Sequence, residues 1–405
     1  MLMTTSLDHD RRVLVVAPQP FYEDRGTPIA IQHVLEALSA SGRRVDLLTF
    51  AVGSDIELPG LRIIRIGGLL GIRHVPIGFS LRKLLLDIVL CFALLRMLRK
   101  EEYWCVHAVE EAVFPALFLG KLRGVPVIYD MQSCLPDQLR EHPVLGLSLV
   151  QRVLLKCERW ALRNAAVVVG SAGLEPYVKR VMPTAAMREW NFPGQINRAS
   201  DEEIARRREA YGIAPDAPVI LYSGNFARYQ GVNWLVDAIP AVLRSVPDAV
   251  FVLVGAEEGS TPGDLREAID RIPKSALRIV QRQPRDALPS FIAMADILVS
   301  PRAGGDNLPL KVFDYIAAGK PIVATDFPIH RTILNEERAM LVAPDAAAMA
   351  EGIVTLLKDR VLAARLASAA RDHSESYYGL AAVRALVDEV YARAGCGRRA
   401  EVRRA

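Results

Sequence analysis

Short runs of continuous apolar residues alternate along the chain with longer stretches whose apolar positions recur every three or four residues. A run such as 12–17 (RVLVVA), closed by turn-forming residues, is what a parallel strand buried on both faces requires. The same pattern predicts strands at 45–50, 61–66, 104–109, 125–130 and 166–170 in the first half. In the second half it predicts strands at 219–223, 250–254, 277–280, 297–300, 321–324 and 340–342. Helical periodicity falls between them, at 29–41 (closed by Gly42), 112–122 and 147–164. It recurs at 232–246, 262–272, 285–295, 308–318 and 346–357, with a last helix near 377–394.

Strand, helix, strand repetition implies a parallel sheet covered on both faces. The chain carries the scheme twice, which predicts two Rossmann-like α/β domains facing across a cleft, with the last helix crossing back to the first domain. The expected divisions are 1–195, 196–375, and a helix with a basic tail at 376–405. A length of 405 residues supports two domains, and 51% hydrophobic residues suffice for two cores. In open parallel sheets ligands sit beyond the carboxyl ends of strands, so the chemistry is expected in strand-end loops of both halves.

Charge narrows the function. The formal net charge is only +4, and four arginines sit in the tail 397–405, read as a solvated end. A nucleic-acid partner is therefore not expected. The five cysteines form no CxxC pair, which reads as reduced, buried thiols in a cytoplasmic protein. No HxH, HExxH or DxD pattern stands at a strand end, so no metal is expected. A GxSxG elbow and a GxGxxG turn after the first strand are also missing, which disfavours acyl transfer and a plain dehydrogenase. Residues 81–100 (LRKLLLDIVLCFALLRMLRK) are too interrupted by charge for a span of ~20 apolar residues. They read either as a helix lying on anionic lipid or as a helix packed on a sheet.

The most specific string is 300–321, SPRAGGDNLPLKVFDYIAAGKP. A strand ends at Ser300, a glycine-rich loop follows, and a helix begins near Leu308. Free N–H groups and the positive end of the helix dipole suit a departing diphosphate. Asp306 and Asp314 lie eight residues apart, near one face, where one carboxylate can hold sugar hydroxyls and the other ribose hydroxyls. Lys311 lies in the first turn, where a cation is unfavourable unless an anion is present to pair with it.

This string resembles the carboxy-terminal signature of family 4 retaining glycosyltransferases of the two-domain GT-B fold. Two acids there flank a Gly-Leu-Pro-like helix start, and an Ala-Gly-x-Pro turn follows. Gly26-Thr27-Pro28 is similar to the family's amino-terminal glycine loop, 127–133 (VIYDMQS) to the strand facing the donor sugar, and 221–231 (LYSGNFARYQG) to the start of its second domain. A branch carrying YQG and SPR together looks like this chain. Three positions depart from the pattern. The family's His falls on Gln132, and its diphosphate-neutralising Arg and Lys fall on Asn225 and Gln230.

Replacement cations are sought in Arg228, Arg302 and Lys311. The resemblance implies transfer of a sugar from a nucleotide-diphosphate sugar with retention, requiring no metal or further cofactor. Asp306, Arg228, Lys311 and Gln132 are expected at the reaction. Gly26, Thr27, Gly224, Asn225, Gln230, Arg302, Gly305, Asn307, Leu308 and Asp314 would bind the donor. The acceptor is expected to be a glycan or lipid-linked molecule bound by the first domain. The apolar segment 69–79 and the basic helix after it suggest cell-surface polysaccharide or glycolipid assembly, at the inner face of the membrane. An inactive nucleotide-binding protein and a nucleotide-sugar epimerase stay open as alternatives. His107, Glu110 and Glu111, clustered near a strand end, and Asp130 are further polar candidates, and Asn191 is a candidate hinge residue.

Overall fold

The structure is a computed structural model and describes residues 12–23, 26–67, 75, 80–139, 145–190, 194, 199–256, 263–305 and 309–402. Along the chain run β1 (Val13–Ala17), α1 (Gly26–Ala40), β2 (Val45–Thr49), β3 (Leu61–Arg65), α2 (Leu81–Lys100), β4 (Cys105–Val109), α3 (Val113–Arg123) and β5 (Val127–Met131). Then come α4 (Leu135–Gln138), α5 (Ser148–Asn164), β6 (Val167–Gly170), α6 (Glu175–Val181), β7 (Met187–Glu189), α7 (Asp201–Ala210), β8 (Val219–Ser223) and α8 (Val232–Ser245). After these follow β9 (Val250–Ala256), α9 (Gly263–Asp270), β10 (Leu277–Gln281), α10 (Leu288–Met294), β11 (Ile297–Ser300), α11 (Leu310–Ala318) and β12 (Ile322–Thr325). The chain ends with α12 (Pro328–Arg331), β13 (Met340–Val342), α13 (Ala346–Lys358), α14 (Arg360–Tyr378) and α15 (Leu380–Val402).

These elements divide into two compact units, Met1–Asn191 with Leu380–Ala405, and Phe192–Gly379. The first unit is built on a seven-stranded parallel sheet in the order β3-β2-β1-β4-β5-β6-β7. The second has a six-stranded parallel sheet in the order β10-β9-β8-β11-β12-β13. Both are doubly wound. In the first, the winding reverses between β1 and β4, and in the second between β8 and β11. Each reversal opens a crevice at the carboxyl ends of those two strands, where a ligand can enter.

The cores follow from the apolar strands. In β1 (VLVVA) and β8 (VILYS) every residue is buried, so both sheet faces must be covered. The last helix does return to the first unit. Val387, Val390, Tyr391 and Ala394 are fully buried, and α15 packs on α1 and along β4, β5 and β6. No helix among the described residues is long and apolar enough to cross a membrane.

Several expectations need correction. The first helix begins at Gly26 rather than residue 29, so Pro28 occupies its first turn, where a missing N–H is harmless. Helix α11 begins at Leu310, two residues later than expected, and ends on Gly319 in the left-handed region (φ +62). The last helix expected near 377–394 is α15, and an unexpected helix, α14, precedes it across Gly379. Among the cysteines, Cys105 and Cys134 are buried and Cys91 half-buried, but Cys157 is exposed on α5. Asn191 and, apart from Val75, residues 69–79 lie outside the described residues.

Candidate active site

In the second unit, the loop after β8 (224–231) and the loop after β11 (301–305) lie side by side at the winding reversal. Their backbones are tied together: the N–H groups of Ala303 and Gly304 both donate to the Tyr229 carbonyl, at 2.8 and 3.1 Å. Glycine is required for this closeness. Gly231 has φ +66, and a Cβ there would collide with the Pro301 carbonyl. Gly224 has φ +140, and a Cβ there would lie 2.7 Å from Lys311 Nζ and 2.9 Å from the Tyr222 hydroxyl.

Lys311 is the centre of the arrangement. Its Nζ donates to Gln230 Oε1 at 2.9 Å and lies 4.1 Å from the centroid of the Tyr222 ring. The residue is half-buried, with its Nζ held against the loop after β8. Desolvation, with Arg302 nearby as a second cation, drives the amine well below its ordinary value of 10.5. Gln230 stands where the resembling family carries its lysine, and here the charge arrives at that residue from the next loop's helix instead.

Arg302 is 2% exposed; its guanidinium lies over the Tyr229 ring at 5.6 Å and its Nε donates to the Gly304 carbonyl at 2.7 Å. Thr325 holds the Arg302 carbonyl with a 2.7 Å hydrogen bond. Beneath it, buried His330 bridges Ser300 Oγ (2.8 Å) and the Thr325 carbonyl (2.8 Å), and burial pushes its imidazole down to about 4. A neutral ring there adds no third positive charge. Sequence reading missed His330, which carries no motif of its own.

Asn225 and Arg228 are exposed on the same loop, and a pocket beside them is lined by Phe226, Arg228, Trp234 and Ala303. Gly305 is exposed at the end of the described loop. Asp306, Asn307 and Leu308 lie outside the described residues. Asp314 is 6% exposed, and its carboxylate faces Arg285 at 3.9 Å.

The first unit has its own polar chain at the carboxyl end of β5. Gln132 Nε2 donates to Asp130 Oδ1 at 2.6 Å. Asp130 Oδ2 meets His107 Nε2 at 3.0 Å, and His107 Nδ1 meets the Tyr391 hydroxyl at 2.6 Å. With Nε2 protonated toward the carboxylate, Nδ1 accepts from the tyrosine. His107 was expected at a strand end; it lies within β4, fully buried between Trp190 and Tyr391.

Glu110, just beyond β4, takes a positive φ of 49, which is rare for a residue with a Cβ. It accepts from Ser133 Oγ at 3.0 Å, and burial raises its carboxyl. Glu111 instead pairs with Lys83 of α2. Gly26 is exposed with open space where a Cβ would stand, and Thr27 is half-buried in the first turn of α1. Openness at Gly26 means that no protein atom in this unit requires glycine there.

Comparison with known proteins assigns the class. Residues 217–359 match the family described as glycosyl transferases group 1, and residues 25–175 match the glycosyl transferase 4-like domain. The chain is 26% identical over 301 residues to an alpha-D-kanosaminyltransferase of Streptomyces kanamyceticus, covering 71% of this chain and 76% of that protein. It is 23% identical to a phosphatidyl-myo-inositol mannosyltransferase of Mycobacterium leprae, covering 90% and 92%. Its fold is similar to that of a sucrose-phosphate synthase from Thermosynechococcus elongatus, with a TM-score of 0.71 at 21% identity over 95% of this chain and 98% of that one.

With one match in each unit and a whole-chain structural neighbour, this protein is a glycosyltransferase. Within that class it is of the GT4 type, with two Rossmann-like units of the GT-B fold.

Proposed function

We propose that the chain moves a hexosyl group, with retention and without a metal, from a nucleotide-diphosphate sugar to a glycan or lipid-linked acceptor. The observation carrying this reading is Lys311. A desolvated ammonium, with buried Arg302 nearby, at the start of a helix is costly in an empty site and favourable once a diphosphate arrives. Arg228 and Asn225 border the same loop. The backbone N–H groups at the start of α11, which has no side-chain cap among the described residues, add further donors.

In this mechanism the acceptor oxygen attacks the anomeric carbon from the face that the diphosphate leaves. The bond from that carbon to the phosphate oxygen breaks, and the acceptor proton passes to the departing phosphate. Lys311 and Arg302 stabilise the charge that grows on it. Asp306 grips the donor sugar and Asp314 the ribose. In the first unit, Gly26, Thr27 and Gln132, the last oriented by Asp130, are the candidates for the donor. The similarity to a phosphatidyl-myo-inositol mannosyltransferase favours a lipid-linked acceptor, with a peripheral contact through Leu81–Lys100 at the inner face of the membrane.

The test is a thermal-shift screen of nucleoside diphosphates and their sugars, followed by transfer assays with the stabilising donor. The anomeric configuration of the product is read from its proton coupling. Stabilisation by a nucleoside diphosphate and a retained anomer are expected; an inverted product, or no stabilisation by any nucleotide, overturns the proposal.

A further inference from the structure

Twelve of the seventeen large hydrophobic side chains that the described residues leave exposed lie on α2, α3, α5 or the residue before α5. Topology gathers these helices. They connect β3 to β4, β4 to β5 and β5 to β6, all moving the same way across the sheet. Right-handed crossovers therefore put them on one face, and α3 packs against both α2 and α5. Helix α1 moves the other way, and α15 packs beside it.

Each helix has an outward apolar stripe at helical spacing. On α2, Leu86, Leu90, Leu94 and Leu98 face the core. The opposite side presents Leu81, Leu85, Ile88 and Phe92, of which Leu81 is 74% exposed. On α3, Phe118 and Leu122 stand one turn apart. On α5 only Glu158, Ala161 and Leu162 are buried, while Leu149, Val153 and Trp160 form an exposed stripe.

Charge follows the same face. On α5, Arg152, Lys156, Arg159 and Arg163 form a second stripe beside the apolar one, at spacings of four, three and four. Its single acid, Glu158, is buried and accepts the Tyr129 hydroxyl at 2.6 Å. Helix α3 has Lys121 and Arg123 and no acid. Helix α2 adds Arg82, Arg96, Arg99 and Lys100, and its one acid, Asp87, is half-buried.

We propose that α2, α3 and α5 together form one docking surface for an anionic lipid bilayer. The apolar stripes enter the headgroup boundary and the adjoining basic residues meet lipid phosphates. A protein partner or a second copy of the chain would supply acidic side chains to such a rim; three helices without one exposed acid fit a uniformly anionic surface best. The proposal extends the contact placed on Leu81–Lys100 and rests on it, adding α3 and α5 as equal members.

The experiment is co-sedimentation of the full-length protein with phosphatidylcholine vesicles, alone or with phosphatidylglycerol. The triple variant Leu149→Ser, Val153→Ser, Trp160→Ser is compared with Leu85→Ser, Ile88→Ser, Phe92→Ser. All six positions are exposed, and circular dichroism melting checks that the fold is kept. Expected are at least tenfold tighter binding to anionic vesicles, weakening in high salt, and a tenfold or greater loss in each variant. If only the α2 variant loses binding, the three-helix surface is wrong while the earlier contact stands. If the wild type ignores anionic vesicles at low salt, both fall. A dimer in sedimentation velocity that the α5 variant dissolves would assign the face to a second copy and overturn the proposal.

Discussion

Lys311→Met is the sharpest probe of the anion site, because its effects on the empty and loaded protein differ in kind. Methionine keeps an apolar stem against the Tyr222 ring and removes the charge. In the empty protein two terms oppose. Loss of a desolvated ammonium is favourable, while Gln230, 8% exposed, loses a partner for its Oε1, which costs about 1–3 kcal/mol. The melting temperature of the empty variant should therefore move by only a few degrees. In the loaded protein one charge-assisted contact to the diphosphate disappears, worth about 1.5–3 kcal/mol, so nucleoside diphosphate affinity should fall roughly 10- to 150-fold.

The pH dependence adds a second readout. The folded-state value of Lys311 lies well below 10.5, so between the two values the unfolded chain binds more protons than the folded one. Wild-type stability from this group therefore rises with pH across that window, and the variant lacks the rise. A bound diphosphate restores the charge, so binding takes up a proton there. Isothermal titration in buffers of different ionisation enthalpy measures this uptake. Unchanged affinity in Lys311→Met, or proton uptake that survives the substitution, would refute the reasoning.

Glu158 gives the opposite sign. Burial raises its carboxyl from 4.5 to about 7, so wild-type stability falls as pH climbs between those values, and at ~1.36 kcal/mol per unit the loss approaches about 3 kcal/mol. Glu158→Gln should be more stable than wild type in urea melts at pH 8, with the gain gone near pH 4; equal melts at both would contradict this. Asp314→Asn removes the charge that faces Arg285 at 3.9 Å and should cost about 1–3 kcal/mol in denaturant unfolding. If Asp314 also grips the ribose, the variant should stop distinguishing a ribonucleotide from its 2′,3′-dideoxy analogue. Gly231→Ala should lose about 1–3 kcal/mol in denaturant unfolding, since φ +66 and the Pro301 carbonyl leave no room for a methyl group; a neutral result would mean that the loop moves freely.

The sheets were legible in the sequence because parallel strands buried on both faces must be unbroken apolar runs. Only β7 escaped, being three residues long and no more than half-buried. Helices α7 and α14 escaped for the opposite reason: α7 buries nothing, and α14 alternates charge with alanine too finely to stand out. Lys311 was legible from electrostatics alone, as a cation where the dipole opposes one. Its hydrogen bond to Gln230 was not, since those residues are 81 apart in the chain. The positive φ of Glu110 and the burial of His107 depend on how neighbouring strands close. The outward stripe on α5 was hidden because helical periodicity does not say which side of an amphipathic helix meets the core.

The position of α15 bears on how the protein is made. The first unit is begun by the first 191 residues, yet four fully buried side chains of its core arrive only after residue 380. The second unit is thus an insertion within the first. During synthesis the first unit stays incomplete, with His107 lacking its tyrosine, until α15 has been made. Truncation within α15 before Tyr391 should therefore harm the first unit, although its sheet was made long before.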